Sequence, residues 1–132
     1  MSAENPRDRK YTREHEWARL DGSIATVGIT RHAVEQLGDI TMVDLPKEGA
    51  TVKKKDTLGT VESVKAVADV YSPVSGKIVK VNTPLIDSPE HLGDEPYDDG
   101  WMVQIEVANP AELDELMDAA AYEVFLREQE TH

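Results

Sequence analysis

Short valine-rich runs separated by turn residues occupy the middle of the chain and restrict its fold more than any other feature. One such segment, residues 50–61, ends in Leu58-Gly59-Thr60-Val61, and a second covers residues 70–82. Runs of this type form short antiparallel strands that pack as a sandwich or a barrel. Both segments share a loose pattern of valine, small residue, glycine and valine, which indicates two similar halves that face each other across residues 62–69.

Strand and helix signals also precede this region. Residues 24–29 alternate between apolar and polar or small side chains, which predicts a strand. Thr30 then provides an N-cap and Gly38 a C-terminal stop, so we expect a helix of about two turns near residues 30–38. A further strand is predicted from Ile40 to Leu45.

The C-terminal third combines a loop, a strand and helices. Residues 83–100 contain three prolines and two glycines, which predicts a long loop with room for a helical turn near residues 89–92. A strand is predicted over residues 101–107. Asn109, followed by proline, is a typical helix start, with Glu112 in the capping-box position. The sequence therefore predicts a small, mainly β (α+β) domain with a short inserted helix and helices from about residue 110.

Charge and cysteine content exclude several classes of protein. The chain has 14 Lys and Arg against 26 Asp and Glu, a net charge of −12, which disfavours nucleic acids and anionic membranes as partners. Cysteine is absent, which excludes thiol nucleophiles, disulfides and cysteine-ligated metal centres. No apolar run approaches the roughly 18 residues of a membrane span, and the N-terminus lacks the apolar core of a signal peptide. We therefore expect a soluble, cytoplasmic protein.

The remaining polar residues predict neither a metal site nor a catalytic site. The four histidines are scattered along the sequence, and none has a second histidine at the spacing of metal ligands. The serines near the centre of the chain lack the His and Asp partners of nucleophilic catalysis.

Lys65 stands in the run Glu62-Ser63-Val64-Lys65-Ala66, between the two valine-rich segments. A lysine that carries a covalent cofactor needs an exposed amine, a rigid backbone and small neighbours, and a hairpin provides all three. A lysine at a hairpin tip is also a common solvated charge that protects a sheet edge. The local motif therefore leaves both interpretations open, and a carrier would bear either biotin or a lipoyl group.

The run Val61–Ala66, followed by Asp69–Gly76, resembles the lipoyl-lysine hairpin of the H-protein family of the glycine cleavage system. The resemblance covers roughly residues 9–127. Biotin carriers typically have methionine on both sides of the lysine, and lipoyl domains of 2-oxoacid dehydrogenases usually have aspartate before it, unlike this chain. Other stretches that match the family, in order, are Tyr11–Trp17, Val27–Thr30, Leu37–Asp39, Val43–Pro46, Gly49, Pro96–Tyr97 and Gly100–Met102.

The resemblance implies a lipoyl/biotinyl-carrier-like barrel-sandwich hybrid and a cofactor carrier rather than an enzyme. The polar residues 1–10 are expected to form a flexible N-terminus, and residues 11–132 a single lipoyl-carrier domain. The cofactor implied is (R)-lipoate, attached covalently to Lys65. The residues that support this motif are Glu62, Ser63, Val64 and Ala66.

The resemblance also places a cleft for the loaded arm on Glu14, Glu16 and Asp69. Carboxylates suit this role because an ionised acceptor binds an ammonium more strongly than a neutral one does. Glu14 stands where the family often has serine, so this extra carboxylate either strengthens binding of the amine or points into solvent.

The same resemblance implies a circuit of partners. The arm takes an aminomethyl group from glycine at a pyridoxal-phosphate decarboxylase (P protein) and delivers it to a tetrahydrofolate-dependent aminomethyltransferase (T protein). Dihydrolipoyl dehydrogenase (L protein) reoxidises the arm, and a lipoate ligase or a lipoyl/octanoyl transferase attaches it. The chain is expected to be a monomer. An alternative is a carrier of the same fold that donates or relays lipoyl groups to other lipoylated proteins.

Overall fold

The computed structural model describes residues 6–130, and within this range the chain forms nine strands in two antiparallel sheets. The strands, in chain order, are β1 (Lys10–Tyr11), β2 (Glu16–Asp21), β3 (Ile24–Ile29), β4 (Ile40–Asp44), β5 (Thr51–Val52), β6 (Thr57–Ser63), β7 (Val67–Tyr71), β8 (Gly76–Val81) and β9 (Val103–Val107). The large sheet has the order β1-β2-β3-β9-β8-β5, and the small sheet has the order β4-β6-β7. This arrangement confirms the predicted mainly β sandwich.

The two valine-rich segments each contribute to both sheets. Residues 50–61 provide β5 to the large sheet and most of β6 to the small one, and the second segment provides the end of β7 and all of β8. β5 pairs with β8 and β6 pairs with β7. The two segments are therefore hairpin partners, and the connection between them lies at the end of the small sheet.

The core lies between the two sheets. Ala25, Val27 and Ile29 on β3 are at most 3% exposed, as the alternation predicts. They pack with Val43 and Val61 of the small sheet in one cluster of buried side chains. Burial of these side chains holds the small sheet, and the hairpin it carries, against the large sheet.

Five helices connect or cover the strands within the described range. They are α1 (Arg31–Leu37), α2 (Pro84–Asp87), α3 (Glu90–Asp94), a 3₁₀ helix (Pro110–Glu115) and α4 (Ala119–Glu130). The predicted helix near residues 30–38 is confirmed, since the Thr30 side chain accepts from the Ala33 N–H and Gly38 ends α1 at φ 80°. No helix among residues 6–130 is long and apolar enough to cross a bilayer.

The region predicted as a long loop with a helical turn contains two short helices. α3 lies at the predicted helical turn, whereas α2 was not predicted. Leu85 and Leu92 are each at most 1% exposed and anchor the two helices. A helix of one turn has no apolar repeat to detect, so a single buried leucine decides its position.

The predicted C-terminal helices from about residue 110 are confirmed, but the first of them is a 3₁₀ helix. The Asn109 side chain accepts from the Ala111 N–H, as a cap should. The capping-box prediction for Glu112 is wrong, because its carboxylate accepts from the backbone N–H and hydroxyl of Ser75 at 2.7 and 2.9 Å. Between the 3₁₀ helix and α4, Met117 exchanges backbone hydrogen bonds with Tyr11 and extends the edge of the large sheet.

The N-terminal segment predicted to be flexible is described only from Pro6 onward. Residues 1–5 lie outside the described range. Arg9 is 8% exposed, and its guanidinium stacks over Trp17 at 4.6 Å from the ring centroid. Lys10 begins β1.

Candidate functional site

Lys65 is the central residue of the three-residue turn between β6 and β7, at the end of the small sheet. Its side chain is exposed, as is that of Ala66. Val64 is 77% exposed and Val67 is 66% exposed. The turn therefore presents the lysine on an open hairpin tip with compact neighbours.

The turn rests on the segment between α1 and β4. The Val64 N–H donates to the Asp39 carbonyl at 3.1 Å. A Cβ atom at Gly38 would lie 3.4 Å from Lys65 Cε, so the aliphatic part of the lysine side chain passes over this glycine. The sequence identified Gly38 as the end of a helix, but nothing local indicated that it lies against the lysine.

Ser63 and Thr41 add side-chain hydrogen bonds to the base of the turn. The Ser63 hydroxyl donates to the Ala66 carbonyl at 3.1 Å and accepts from the Ala66 N–H at 3.0 Å. The Thr41 hydroxyl donates to the Glu62 carbonyl at 3.2 Å. Thr41 lies where the β4–β6 register shifts, so this hydrogen bond joins a bulge on the neighbouring strand to β6.

Glu62 and Asp69 lie on the outer face of the small sheet. Glu62 pairs with Val67, and Thr60 pairs with Asp69, on the face opposite to the buried Val61. Asp69 is exposed. Because side chains alternate along a strand, Val67, Asp69 and Tyr71 project from the same side of β7.

Glu16 is buried at the start of β2, where the chain leaves the loop that contains Glu14. It is 1% exposed. One carboxylate oxygen accepts from the Thr12 hydroxyl at 2.7 Å, and the other accepts from the Tyr71 N–H at 3.1 Å. The Glu16 side chain therefore joins the large sheet to the end of β7.

The Glu16 carboxyl has an unusual acidity. Burial raises its pKa to about 7, and the charge of Glu14 adds to the rise, although the hydrogen bonds from Thr12 and Tyr71 act in the opposite direction. Glu14 itself is exposed. A carboxyl with a pKa near neutrality responds strongly to a nearby cation, because an opposite charge favours its ionised form.

A cavity of about 220 Å³ brings Glu14 and Glu16 together. Its wall also includes Tyr71 and Met117, and the side chains of Lys54 and Glu115 form an ion pair at the same cavity. Asp69 is not part of this wall, but it lies two residues before Tyr71 on the same side of β7. The cavity thus combines three carboxylates, those of Glu14, Glu16 and Glu115, with apolar surface and with the cationic side chains of Arg13, Lys54 and Lys55.

His15 and His32, which are distant in sequence, are neighbours in the structure, with ring centroids 4.5 Å apart. His15 Nδ1 lies 2.8 Å from the Tyr122 hydroxyl, which is also 2.8 Å from the Thr30 hydroxyl. Burial, with a smaller contribution from His32, lowers the pKa of His15 to about 4. Within residues 6–130, no three His, Asp or Glu side chains are placed to hold a metal ion. The pair thus joins the network that holds α4 through Tyr122.

The chain is similar to known proteins over nearly its whole length. A model of the glycine cleavage H-protein family matches residues 9–129, a range that includes the lysine turn and the cavity. The glycine cleavage system H protein of Anaeromyxobacter sp. (strain K) is 54% identical over 127 residues, which cover 96% of this chain and 99% of that protein. The protein of the same name from Symbiobacterium thermophilum is 53% identical over 123 residues, which cover 93% of this chain and 96% of that protein. A crystal structure of a glycine cleavage system H protein from Mycobacterium marinum superposes with a TM-score of 0.83 at 40% identity, covering 91% of this chain and 97% of that chain.

Proposed function

Because the chain belongs to the glycine cleavage H-protein family, a family of carrier components rather than enzymes, we propose that Lys65 bears a covalently attached (R)-lipoyl group. The observation that carries this proposal is the exposed turn on which Lys65 stands. Its backbone is held from three sides, by Asp39, by Ser63 and by the small sheet. A modifying enzyme thus meets an accessible amine in one defined geometry.

The residues around Lys65 fit this group. Val64 and Ala66 are exposed and uncharged, so they leave the amine open. When the lipoyl group is attached, its dithiolane supplies the redox and group-transfer chemistry, and the protein positions it. The chain's own contribution is therefore to present the arm at the hairpin tip and to protect the aminomethyl group that the arm carries.

The proposed role is a shuttle within the glycine cleavage system. The protein carries the aminomethyl group from the glycine decarboxylase (P protein) to the aminomethyltransferase (T protein), and the dihydrolipoyl arm to dihydrolipoyl dehydrogenase (L protein). A lipoate ligase or a lipoyl/octanoyl transferase attaches the group. A monomer with a net charge of −12 suits a protein that moves between partners. Its like charge keeps copies of the chain apart, and its negative surface favours brief contact with basic partner surfaces.

Glu16, Asp69 and Glu14 are proposed to hold the amine of the loaded arm. Lys65 precedes β7 and Tyr71 ends it, so the turn and the cavity lie about six residues apart along this strand, roughly 20 Å at the rise of an extended chain. Asp69 lies between them. An ammonium in the cavity favours the ionised form of Glu16, and each carboxylate oxygen can accept a further hydrogen bond. Exclusion of water there protects cargo that is prone to hydrolysis.

The attachment site is tested by intact mass after co-expression with a lipoate ligase and added lipoate. We expect one lipoyl adduct on the wild-type protein and none on Lys65→Arg, which keeps the charge. Lys55→Arg is the matched control, because Lys55 is also an exposed lysine in a turn between strands. An adduct that persists in Lys65→Arg would place the modification elsewhere.

The proposed shuttle role in the glycine cleavage system is tested by glycine–bicarbonate exchange with a purified glycine decarboxylase. The lipoylated protein should stimulate the exchange, and the unmodified protein should not. Absence of stimulation by the lipoylated protein would favour the relay of lipoyl groups to other proteins instead.

The cleft is tested by the half-life of the aminomethyl-loaded protein. Glu16→Gln combined with Asp69→Asn removes two ionised acceptors, and hydrolysis should become at least about tenfold faster. Glu14→Gln alone measures the additional carboxylate. An unchanged half-life in the double variant would remove Glu16 and Asp69 from the site.

A further inference from the structure

The turn that bears Lys65 is closed by a side chain as well as by the backbone. The Ser63 N–H donates to the Ala66 carbonyl at 2.8 Å. The Ser63 hydroxyl donates to the same carbonyl at 3.1 Å and accepts from the Ala66 N–H at 3.0 Å. A single hydroxyl therefore binds both backbone polar groups of the residue that follows the lysine.

This closure differs from the regular continuation of an antiparallel ladder. In a regular hydrogen-bonded pair, the Ala66 N–H would donate to the Ser63 carbonyl. Here the hydroxyl provides the acceptor, which is a known use of serine at turns. Without the hydroxyl, the Ala66 N–H must donate to water or to the Ser63 carbonyl. The turn can then adopt additional conformations, in which the Lys65 side chain points in other directions.

The two ends of the turn are held by different parts of the molecule. The Val64 N–H is bound by the Asp39 carbonyl, so the residue before Lys65 depends on the segment that follows α1. The residue after Lys65 depends on Ser63. Loss of the hydroxyl therefore frees the Ala66 N–H, while the Ser63 N–H still binds the Ala66 carbonyl. It leaves the core untouched, since Ser63 is partly exposed and Ala66 is exposed.

We propose that Ser63 is a positioning residue for the acylation of Lys65, and that its hydroxyl keeps the turn in the conformation that the modifying enzyme recognises. The proposal rests on the proposed lipoylation of Lys65 and adds a role for its neighbour. In the reaction, the neutral Lys65 amine attacks the carboxyl carbon of an acyl adenylate. An amide bond forms, the bond from that carbon to the AMP oxygen breaks, and the nitrogen loses one proton to solvent.

The expected effect follows from the population of the recognised turn. If the enzyme binds only one conformation, the apparent affinity decreases with the fraction of protein that adopts it, and the rate of the bound complex does not change. The loss of one hydrogen bond of ordinary strength lowers the equilibrium constant for the recognised conformation about fivefold, so the fraction falls by at most about fivefold. The KM for the carrier protein should therefore rise between about twofold and about fivefold while kcat stays within about twofold.

The experiment compares Ser63→Ala, Ser63→Thr and Thr41→Val as substrates of a purified lipoate ligase with lipoate and ATP. Ser63→Ala should raise KM, and Ser63→Thr should restore it because the hydroxyl is retained. Thr41→Val is the matched control. It also removes a hydroxyl that donates to a backbone carbonyl, but this carbonyl belongs to Glu62 on β6 and not to Ala66. It should stay within about twofold of the wild type.

Amide hydrogen exchange provides a readout that does not depend on the ligase. The Ala66 amide should exchange about fivefold faster in Ser63→Ala than in the wild type, with an unchanged midpoint of urea unfolding. A wild-type KM for Ser63→Ala, a fall in kcat without a rise in KM, or an equal rise in Thr41→Val overturns the proposal. If the wild-type protein accepts no lipoyl group, the proposed function fails, and unchanged exchange at Ala66 would still refute the structural role of Ser63.

Discussion

Replacement of Glu16 by glutamine removes a buried charge and keeps nearly the same shape. Glu16 is 1% exposed, and its carboxylate accepts from the Thr12 hydroxyl and the Tyr71 N–H. A glutamine amide retains an acceptor for Tyr71 and offers a donor to the Thr12 oxygen, so both contacts survive. The comparison therefore isolates the effect of ionisation.

The size and sign of the effect follow from the raised pKa. Burial, with the charge of Glu14, raises the pKa of Glu16 from 4.5 to about 7. Between these values the folded protein keeps a proton that the unfolded chain has released, so the free energy of unfolding decreases as the pH rises through this window. The decrease reaches roughly 3 kcal/mol above pH 7. Glu16→Gln has no such decrease, so its advantage over the wild type should grow from near zero at about pH 4.5 to roughly 3 kcal/mol at about pH 8.

Urea unfolding at these two pH values, at constant ionic strength, measures the difference. His15 acts in the opposite direction, because a pKa lowered to about 4 removes stability as the pH falls from 6.5 toward that value. Its contribution is common to both proteins and cancels in the comparison. Glu14→Gln removes the same charge from an exposed neighbour and should change the free energy of unfolding by no more than about 0.5 kcal/mol at either pH.

Parallel stability curves for the wild type and Glu16→Gln would refute this reasoning, because they would show that Glu16 ionises equally in the folded and unfolded states. The expected result instead has a functional meaning. If the protein is more stable with a neutral side chain at position 16, then the ionised carboxylate of Glu16 destabilises the folded state. Residues at functional sites often lower stability in this way. The same variant should shelter the loaded arm less well.

Three further predictions concern the scaffold and are measured by urea unfolding at about pH 7. Gly59→Ala should cost about 1–3 kcal/mol or more, because its Cβ would lie within van der Waals overlap of the Asp44 carbonyl oxygen; a neutral result would contradict the β4–β6 register. Tyr122→Phe should cost about 1–3 kcal/mol, since it keeps the stack on Tyr11 but loses the hydrogen bonds to His15 and Thr30; lipoylation of Lys65 should not change. Glu112→Ala should cost about 1–3 kcal/mol through the loss of both hydrogen bonds to Ser75, and an effect equal to that of an exposed glutamate would disprove this link.

The structure extends the sequence predictions most where the contacts are long-range. Glu16 and Tyr71 are separated by 55 positions, and Glu112 and Ser75 by 37. Neither link leaves a local signal. Glu112 lies in the first turn of a helix, where a carboxylate fits a cap as well as a distant partner, and Glu16 begins a strand whose local pattern does not indicate a partner on β7. The His15–His32 contact is of the same kind, since it depends on the position of α1 relative to the β1–β2 loop.

Local signals were sufficient for β3, for α1 with its Thr30 cap and Gly38 stop, and for the hairpin that presents Lys65. These features depend on neighbours within a few positions, through side-chain alternation, capping and turn residues. The tertiary structure alone decided which distant groups meet around them: the Asp39 carbonyl that binds the turn at Val64, and the cavity that joins Glu14 and Glu16 to Tyr71 and Met117. The reason is physical, because burial and hydrogen-bond partners are set by the packing of two sheets, and no local pattern along the chain contains that packing.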